Sequence, residues 1–431
     1  MRSFVRYAGS FPRHYCWIRG GSMDRNTELE TGCTGLNKES KPWARGQQKE
    51  LLKQLRAPRS MRFMKVLIPR LVDESNHNAQ NLNARALLKA WAPSDIQFAA
   101  FADSDDIRPE ISRHHIFRLI EGRFWQWDCL IRYLGSYDAI FYPGHQWFDA
   151  WGIRLRKLIA KKVPVIATLE GIPWMPPETK MELEKKVGHE IHTLSFEASK
   201  HYVKVLAMAD HVVAISPFLA EIGKFLFGDK FSVIPLGVDT EVFYPAVGSQ
   251  KRERITVVCA GTAYPLKRPE LFLALAKAIP DADFKWYGGD RDGLLERLKA
   301  EQRMQRITNL EFVGGVSPEE LAEAFRKADL FVLPSLSEGV PKVAQEAAAC
   351  DLPLILFGFY EAPTLIDGKN GVVVWDDDEL ISTVGTLIRD REKLSCMAMS
   401  SREMAKAWEW SLISVQWLEE LRENMRAGSA T

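Results

Sequence analysis

The chain lacks several features that would narrow its function quickly. No apolar run among its 431 residues reaches the length of a bilayer-spanning helix, so any membrane contact is expected to be peripheral. Its six cysteines, Cys16, Cys33, Cys129, Cys259, Cys350 and Cys396, are scattered, with no Cys-x-x-Cys pair. That spacing argues against a disulfide frame or a zinc site and for reduced thiols in a cytoplasmic setting. A net charge of +1 gives no global attraction to nucleic acid, and no nucleic-acid partner is expected. No P-loop, His-Glu-x-x-His or Gly-x-Gly-x-x-Gly fingerprint is present, nor any short-period repeat. The Asp-x-Asp pattern of some metal–nucleotide sites occurs at Asp103-Ser104-Asp105 and Asp290-Arg291-Asp292, beside a further run Asp376-Asp377-Asp378. The recurrence of so short a pattern points to surface turns. Neither a cofactor nor an obligatory metal is expected.

What is present suits a soluble globular protein: 46% hydrophobic and 26% charged residues, in a chain long enough for two domains. The charge is uneven. Residues 1–60 carry 12 Lys/Arg against 5 Asp/Glu, which leaves −6 for the remainder. Gly, Ser, Arg and Asn are frequent there and apolar periodicity is poor, so the segment reads as a disordered extension, with residues 47–55 a short helix candidate. The first 23 residues hold four arginines and no acid, which fits a transit-type presequence. It fits equally a mis-assigned start, because Met61 and Met64 immediately precede a good first strand.

From Met64 onward apolar strands alternate with helical stretches. Strands are expected at residues 64–69, 96–101, 139–142, 163–169 and 211–215, and a second series at 255–260, 284–287, 310–313, 330–333, 353–357 and 371–374. The spacing leaves room for a helix between strands, which implies βαβ units and parallel sheets. The fold class is α/β, with two doubly wound domains in tandem joined near residues 238–254, a stretch rich in Gly, Pro and charge. Residues 382–424 read as helices carrying Trp408, Trp410 and Trp417.

The densest chemistry lies in Pro334-Ser335-Leu336-Ser337-Glu338-Gly339-Val340-Pro341-Lys342-Val343-Ala344-Gln345-Glu346-Ala347. Leu330-Phe331-Val332-Leu333 before it is a buried strand, Gly339 and Pro341 mark the turn, and a helix follows with Pro341 at its first position. Free N–H groups at that helix start form an anion site. The carboxylates of Glu338 and Glu346 bracket the turn and can accept hydrogen bonds from hydroxyls. Phosphate plus sugar hydroxyls is what a nucleotide-sugar presents.

This stretch resembles the donor-site signature of the retaining GT-B glycosyltransferases, most closely glycosyltransferase family 4 (group 1). Further blocks carry the resemblance: Ile234-Pro235-Leu236-Gly237-Val238-Asp239 with Phe243-Tyr244-Pro245, Lys267-Arg268-Pro269-Glu270-Leu271, Phe312-Val313-Gly314-Gly315-Val316, and Asp367-Gly368-Lys369-Asn370-Gly371. They cover roughly residues 210–420, whereas residues 61–200 resemble the family weakly. The resemblance implies two Rossmann-like domains facing a central cleft: an acceptor-side domain over residues 61–240, a nucleotide-sugar domain over 250–405, and a last helix, 406–425, crossing back to the first domain. It implies that Lys267 meets the diphosphate, Glu346 the ribose hydroxyls and Glu338 the sugar. Gly339 and Val340 would face sugar or phosphate, Gly314, Gly315 and Val316 the base, and Gly261 and Arg268 the donor.

Two departures from the family pattern matter. The family commonly has an arginine just after the strand-end glycine, but Gly261 is followed here by Thr262 and Ala263, leaving Arg268 as the only nearby compensation. The loss of one cation on a diphosphate is worth about 2–4 kcal/mol, by analogy with one oxyanion donor. In the first domain, Ala167-Thr168-Leu169-Glu170-Gly171 puts Glu170 where the family often has histidine. Glu170 is either a contributor that orients a hydroxyl or assists the acceptor proton, or a loop carboxylate with no catalytic task. Acceptor-side candidates are Asn76, His77 and Asn78, which read equally as a helix-capping cluster, and His145, which reads also as a loop histidine. Arg154, Arg156, Lys157, Lys161 and Lys162 form a basic helix face, either solvated or set against anionic lipid.

The function implied is transfer of a sugar from a nucleotide-sugar to a hydroxyl acceptor (glycan, lipid-linked or small molecule), with retention at the anomeric carbon. Polysaccharide biosynthesis in the cytoplasm, at times peripheral to the inner membrane face, fits that activity. Two alternatives stay open: a catalytically degenerate binding or scaffold protein, and a GT-B enzyme that uses phosphate in place of the alcohol.

Overall fold

A computed structural model describes residues 64–72, 79–91, 94, 96–102, 115–118, 125–159, 163–246, 253–290 and 293–430. These all fall within one compact unit, Ala44–Thr431. Residues 1–60 lie outside the described residues, as do Asn76, His77, Asn78, Asp103-Ser104-Asp105, Lys161 and Lys162.

Two wholly parallel sheets organise the described chain. The first contains β1 (Met64–Leu71), β2 (Ile96–Ala102), β3 (His115–Arg118), β4 (Ala139–Phe141), β5 (Val165–Leu169), β6 (His211–Ala214) and β7 (Phe231–Val233), in the order β3-β2-β1-β4-β5-β6-β7. The second contains β8 (Ile255–Ala260), β9 (Ala282–Tyr287), β10 (Leu310–Gly314), β11 (Leu330–Leu333), β12 (Leu354–Phe357) and β13 (Gly371–Val374), in the order β10-β9-β8-β11-β12-β13. In both, the strand order reverses beside the first strand, which places a crevice at the carboxyl ends of the strands. The α/β reading with two doubly wound sheets holds. The sequence reading omits β3 and β7. Each is an edge strand of three or four residues with polar members, too short to carry an apolar run.

The central strands are buried on both faces: β5, β11 and β12 are buried at every residue, as a sheet covered by helices on each side requires. Two cores result. That of the first sheet also takes in Ile413, Trp417, Leu418 and Leu421 from the C-terminal helix Trp410–Ala430, and Val340 from the second sheet's side. Trp417 Nε1 donates to the Pro235 carbonyl at 3.1 Å, and Trp91 Nε1 to the Ser414 carbonyl at 2.7 Å. The last helix is thus packed onto the first sheet's domain, and Val238 N–H to Trp408 O at 2.7 Å ties the connecting segment to its start.

Two local expectations are corrected. The described part of the expected basic face, Arg154, Arg156 and Lys157, lies on the helix Trp147–Ile159. That face is partly turned inward: Arg156 is buried and donates to the Tyr137 carbonyl at 3.0 Å, and Lys157 pairs with Asp210 at 2.6 Å. Pro341 is the residue before the helix Lys342–Ala349 and not its first. Cys129, Cys259 and Cys350 are free and buried.

Candidate functional site

The site is built on loops at the carboxyl ends of β8 and β11. After β8 the chain makes a short 3-10 turn, Pro265–Lys267, and Arg268 takes a left-handed conformation (φ 52°) that starts the helix Pro269–Ala278. After β11 the loop runs through Ser337 and Glu338 to Pro341 and the helix Lys342–Ala349. Leu336 N–H donates to the Leu266 carbonyl at 2.9 Å, so the two loops are clamped together. The Lys267 ammonium and the Glu338 carboxylate are thereby brought into direct contact, both largely buried. Burial alone would lower the Lys267 pKa, but the Glu338 carboxylate beside it outweighs burial and raises it, so the ammonium keeps its charge.

Glycines shape the floor. Gly288 follows β9 directly, and a Cβ there would sit 2.1 Å from the Gly261 carbonyl oxygen. Only glycine permits these backbones to lie so close, with φ of 141° at Gly288. Gly288 N–H donates to the Gly314 carbonyl at 2.7 Å, which links the ends of β9 and β10. Gly315 beyond them has nothing within 4 Å of where a Cβ would be, and Thr262 is exposed. Val316 precedes Ser317, whose capping box with Glu320 starts the helix Pro318–Arg326.

The first sheet's domain meets this loop through Glu170. Gly339 packs on the Glu170 carbonyl oxygen, and Val340 is buried among first-domain residues. Glu170 N–H donates to Tyr202 Oη at 2.8 Å, and Thr168 Oγ1 to Glu170 Oε1 at 3.2 Å. The His145 ring lies against Tyr202, with centroids 3.9 Å apart. Tyr202 therefore gathers two of the first-domain candidates, His145 and Glu170. Ser337 Oγ adds a bond across to the His192 carbonyl at 2.6 Å.

One turn into the helix Lys342–Ala349 lies a buried charge cluster. Burial pushes the Glu346 carboxyl up to about 7, against the pull of Lys342 and with reinforcement from Asp239. Burial likewise lowers Lys342, against the carboxylates of Glu346, Asp239 and Glu170. Lys342 Nζ donates to Asn83 Oδ1 at 3.0 Å, and Gln345 Nε2 to the Leu236 carbonyl at 3.0 Å. The cluster thus joins the two domains and the segment between them.

Lys267, Glu338, Glu346, Gly339, Val340 and Glu170 converge on this seam. Gly261 lies beside Lys267, and Gly314 closes the β9–β10 edge. Arg268 is adjacent in sequence, but its guanidinium pairs with Asp377 and lies over the Phe357 ring at 5.5 Å. Asp290 and Asp376 accept from helix-start amides, at Leu295 and Glu379 respectively. Sequence reasoning passed over Lys342, Asp239, Asn83, Tyr202 and Gly288 as site residues. Gly288 was detectable as a glycine directly after a strand, and Asn83 as a lone amide on the buried stripe that carries Ala84, Leu87 and Leu88.

Comparisons with known proteins bear on the family and the fold. A family model described as Glycosyltransferase Family 4 matches residues 84–242, and one described as Glycosyl transferases group 1 matches residues 254–390. The chain is 30% identical over 164 residues to an alpha-galactosylglucosyldiacylglycerol synthase of Streptococcus pneumoniae, covering 34% of this chain and 43% of that one. It is 27% identical over 345 residues to a D-inositol 3-phosphate glycosyltransferase of Paenarthrobacter aurescens, covering 73% and 78%. The chain spans about half the length of the first curated relatives it matches. Among solved structures, a sucrose-phosphate synthase from Thermosynechococcus elongatus superposes with a TM-score of 0.68 at 19% identity, over 84% of this chain and 100% of the other. Anabaena HepE in complex with UDP-glucose gives 0.64 at 16%, also over 84% and 100%. The fold is GT-B.

Proposed function

We propose a function from one premise: this chain belongs to the group 1 glycosyltransferases of family 4. It transfers a sugar from a nucleotide-sugar to a hydroxyl acceptor, with retention of anomeric configuration. The observation that carries the reading is the meeting of Lys267 with Glu338, at a loop that Gly339 presses against Glu170. A charged group for a diphosphate and a carboxylate for sugar hydroxyls are thus held together, on a loop that packs against the backbone of the first-domain residue Glu170.

In this reading Lys267 stabilises the diphosphate as the bond from the anomeric carbon to the phosphate oxygen breaks and the electron pair stays on phosphate. The acceptor oxygen attacks the same face, and its proton passes to the departing phosphate. Glu346 holds the ribose hydroxyls, Glu338 the sugar, and the Gly314–Val316 backbone the base. Glu170 orients a hydroxyl of donor or acceptor. No step calls on a metal. UDP-glucose bound to the Anabaena neighbour supports a nucleotide-sugar donor, while a relative named for GDP-mannose leaves the base open.

Peripheral contact with an anionic membrane is part of the proposal. Trp127 and Ile131 are exposed on the helix Trp125–Arg132, and Trp151, Leu158 and Ile159 on the helix Trp147–Ile159. Trp127 and Trp147 rings lie 5.5 Å apart and join the two helices, with exposed Arg154 beside Trp151. Aromatic and cationic side chains on one face suit a headgroup layer. No described helix is long and apolar enough to cross a membrane. Two relatives named for diacylglycerol and phosphatidylinositol glycosides support a lipid-linked acceptor. Co-sedimentation with anionic vesicles is expected and should weaken in Trp127→Ala/Trp151→Ala; equal sedimentation of both proteins would refute the membrane part.

The deciding experiment is a thermal-shift titration against nucleoside diphosphates and nucleotide-sugars, with Glu346→Ala beside the wild type. A ligand at 100 times its Kd adds about 2.7 kcal/mol. One nucleotide family should stabilise the wild type and not the variant, and NMR of the product should show retained configuration. An unshifted wild type across the panel, or an inverted product, would overturn the reading.

A further inference from the structure

A cavity of about 650 Å³ opens at the carboxyl ends of β11, β12 and β13, on the side of Lys267 away from β9 and β10. It is lined from both domains, by Glu190 and His192 of the first and by Arg268, Phe357, Phe359 and Trp375 of the second. Lys267, Glu338 and Glu346 do not line it. Aromatic rings and charged side chains share its walls. Phe357 and Phe359 stack at 5.4 Å and 10°, Trp375 stands on edge to Phe359 at 5.9 Å, and His192 does the same at 5.2 Å. Trp375 is 45% exposed, a large apolar surface left to solvent beside a concavity.

The polar groups select among ligands. Asp376 is used in capping the helix Asp377–Leu387, and Asp377 is paired with Arg268, but the exposed side chains of Glu190 and Asp378 also border the space. These carboxylates oppose an anion such as a nucleotide. Arg268 is already paired with Asp377, and the start of the helix Asp377–Leu387 is capped by Asp376, so the remaining charged groups at the rim, Glu190 and Asp378, are hydrogen-bond acceptors. A ligand that fits them carries hydroxyl donors and offers an apolar face to aromatic rings. A pyranose does both, with hydroxyls for Glu190 and Asp378 and its C–H face for Trp375 and Phe359. Arg268 holds its position in a left-handed conformation that other residues than glycine rarely adopt, which is how constrained functional positions often look.

We propose that this cavity is a sugar-binding subsite for a neutral pyranose ring, separate from Lys267, Glu338 and Glu346. That the ring belongs to the acceptor rests on the transferase reading; that the cavity binds a sugar does not.

Saturation-transfer NMR on the full chain tests it, with methyl α-D-glucopyranoside and methyl α-D-mannopyranoside as probes, with and without UDP. Saturation should reach the ring protons of at least one glycoside and persist with UDP bound. Trp375→Ala should bind about three- to tenfold more weakly, the effect of one lost aromatic contact, and Trp375→Phe should recover part of the loss. Trp375→Ala should keep its thermal shift with UDP, whereas Glu346→Ala should lose that shift and keep the glycoside. A wild type that shifts with neither UDP nor GDP but binds the glycoside sinks the donor assignment and leaves the subsite standing. The subsite is overturned by no saturation of either probe, by displacement of the glycoside with UDP, or by equal binding to wild type and Trp375→Ala.

Discussion

Gly339 and Glu170 meet across the two domains so closely that a Cβ on Gly339 would lie 1.8 Å from the Glu170 carbonyl oxygen. Glycine is therefore required there by the neighbouring domain and not by its own backbone angles. The contact sets the spacing between the loop that carries Glu338 and the strand end that carries Glu170.

Gly339→Ala should accordingly force the loop or the domains apart. Overpacking of this kind costs about 1–3 kcal/mol, and transfer activity should fall with it. Gly315→Ala, with open space around it, is the control and should change the urea midpoint little. Equal midpoints for the two variants would show that the seam is not held by this contact.

Lys267 and Glu338 form a largely buried pair, so removing either leaves the other uncompensated. Lys267→Met or Glu338→Gln should each destabilise by about 3–5 kcal/mol, and Lys267→Met/Glu338→Leu by much less than the two together. Urea unfolding of the three proteins measures the coupling. Additive losses would mean that the pair is not a unit.

Glu346 gives stability a pH dependence of unusual sign. Its carboxyl is raised by burial to about 7 in the folded chain, above the ordinary value near 4.5. Between those two values the folded chain holds the proton and the unfolded chain does not, so stability falls as pH rises through that window and levels off above it. Glu346→Gln should flatten this part of the profile and be more stable than the wild type at pH 8. Parallel profiles for the two proteins would remove Glu346 as the cause.

His189 Nε2 meets Glu361 at 3.0 Å across the domains. Burial opposes the charged imidazole, but the hydrogen bond to Glu361 outweighs it and raises the pKa. The pair's contribution is full below the ordinary histidine pKa and is lost as pH rises through the raised one. Glu361→Gln should abolish that loss near neutral pH; an unchanged melting profile from pH 6 to pH 8 would argue against it.

Trp417 is buried in the first domain's core and donates to the Pro235 carbonyl. Trp417→Ala should cost about 3–5 kcal/mol, while exposed Gln416→Ala one residue away should cost little. Calorimetry that finds similar melting temperatures would detach the last helix from the first domain.

The alternation of apolar strands with helical stretches by itself determined the α/β fold. Continuous runs such as Leu330-Phe331-Val332-Leu333 need burial on both faces, and only a parallel sheet between helix layers supplies it. Edge strands β3 and β7 were hidden because their pairing partner, not their own composition, makes them strands. At the site, local spacing exposed Lys267, Glu338, Gly339 and Glu346, since a strand, a turn and a helix start are encoded within a few residues of one another. What only the tertiary structure decided lies between distant segments: that Lys267 pairs with Glu338, that Asn83 receives the Lys342 ammonium, that Gly339 rests on Glu170, and that Trp375 faces His192's domain over a cavity. Local sequence fixes which backbone conformations are cheap. Which side chains share a buried space depends on how two sheets dock, and no spacing within either one records that.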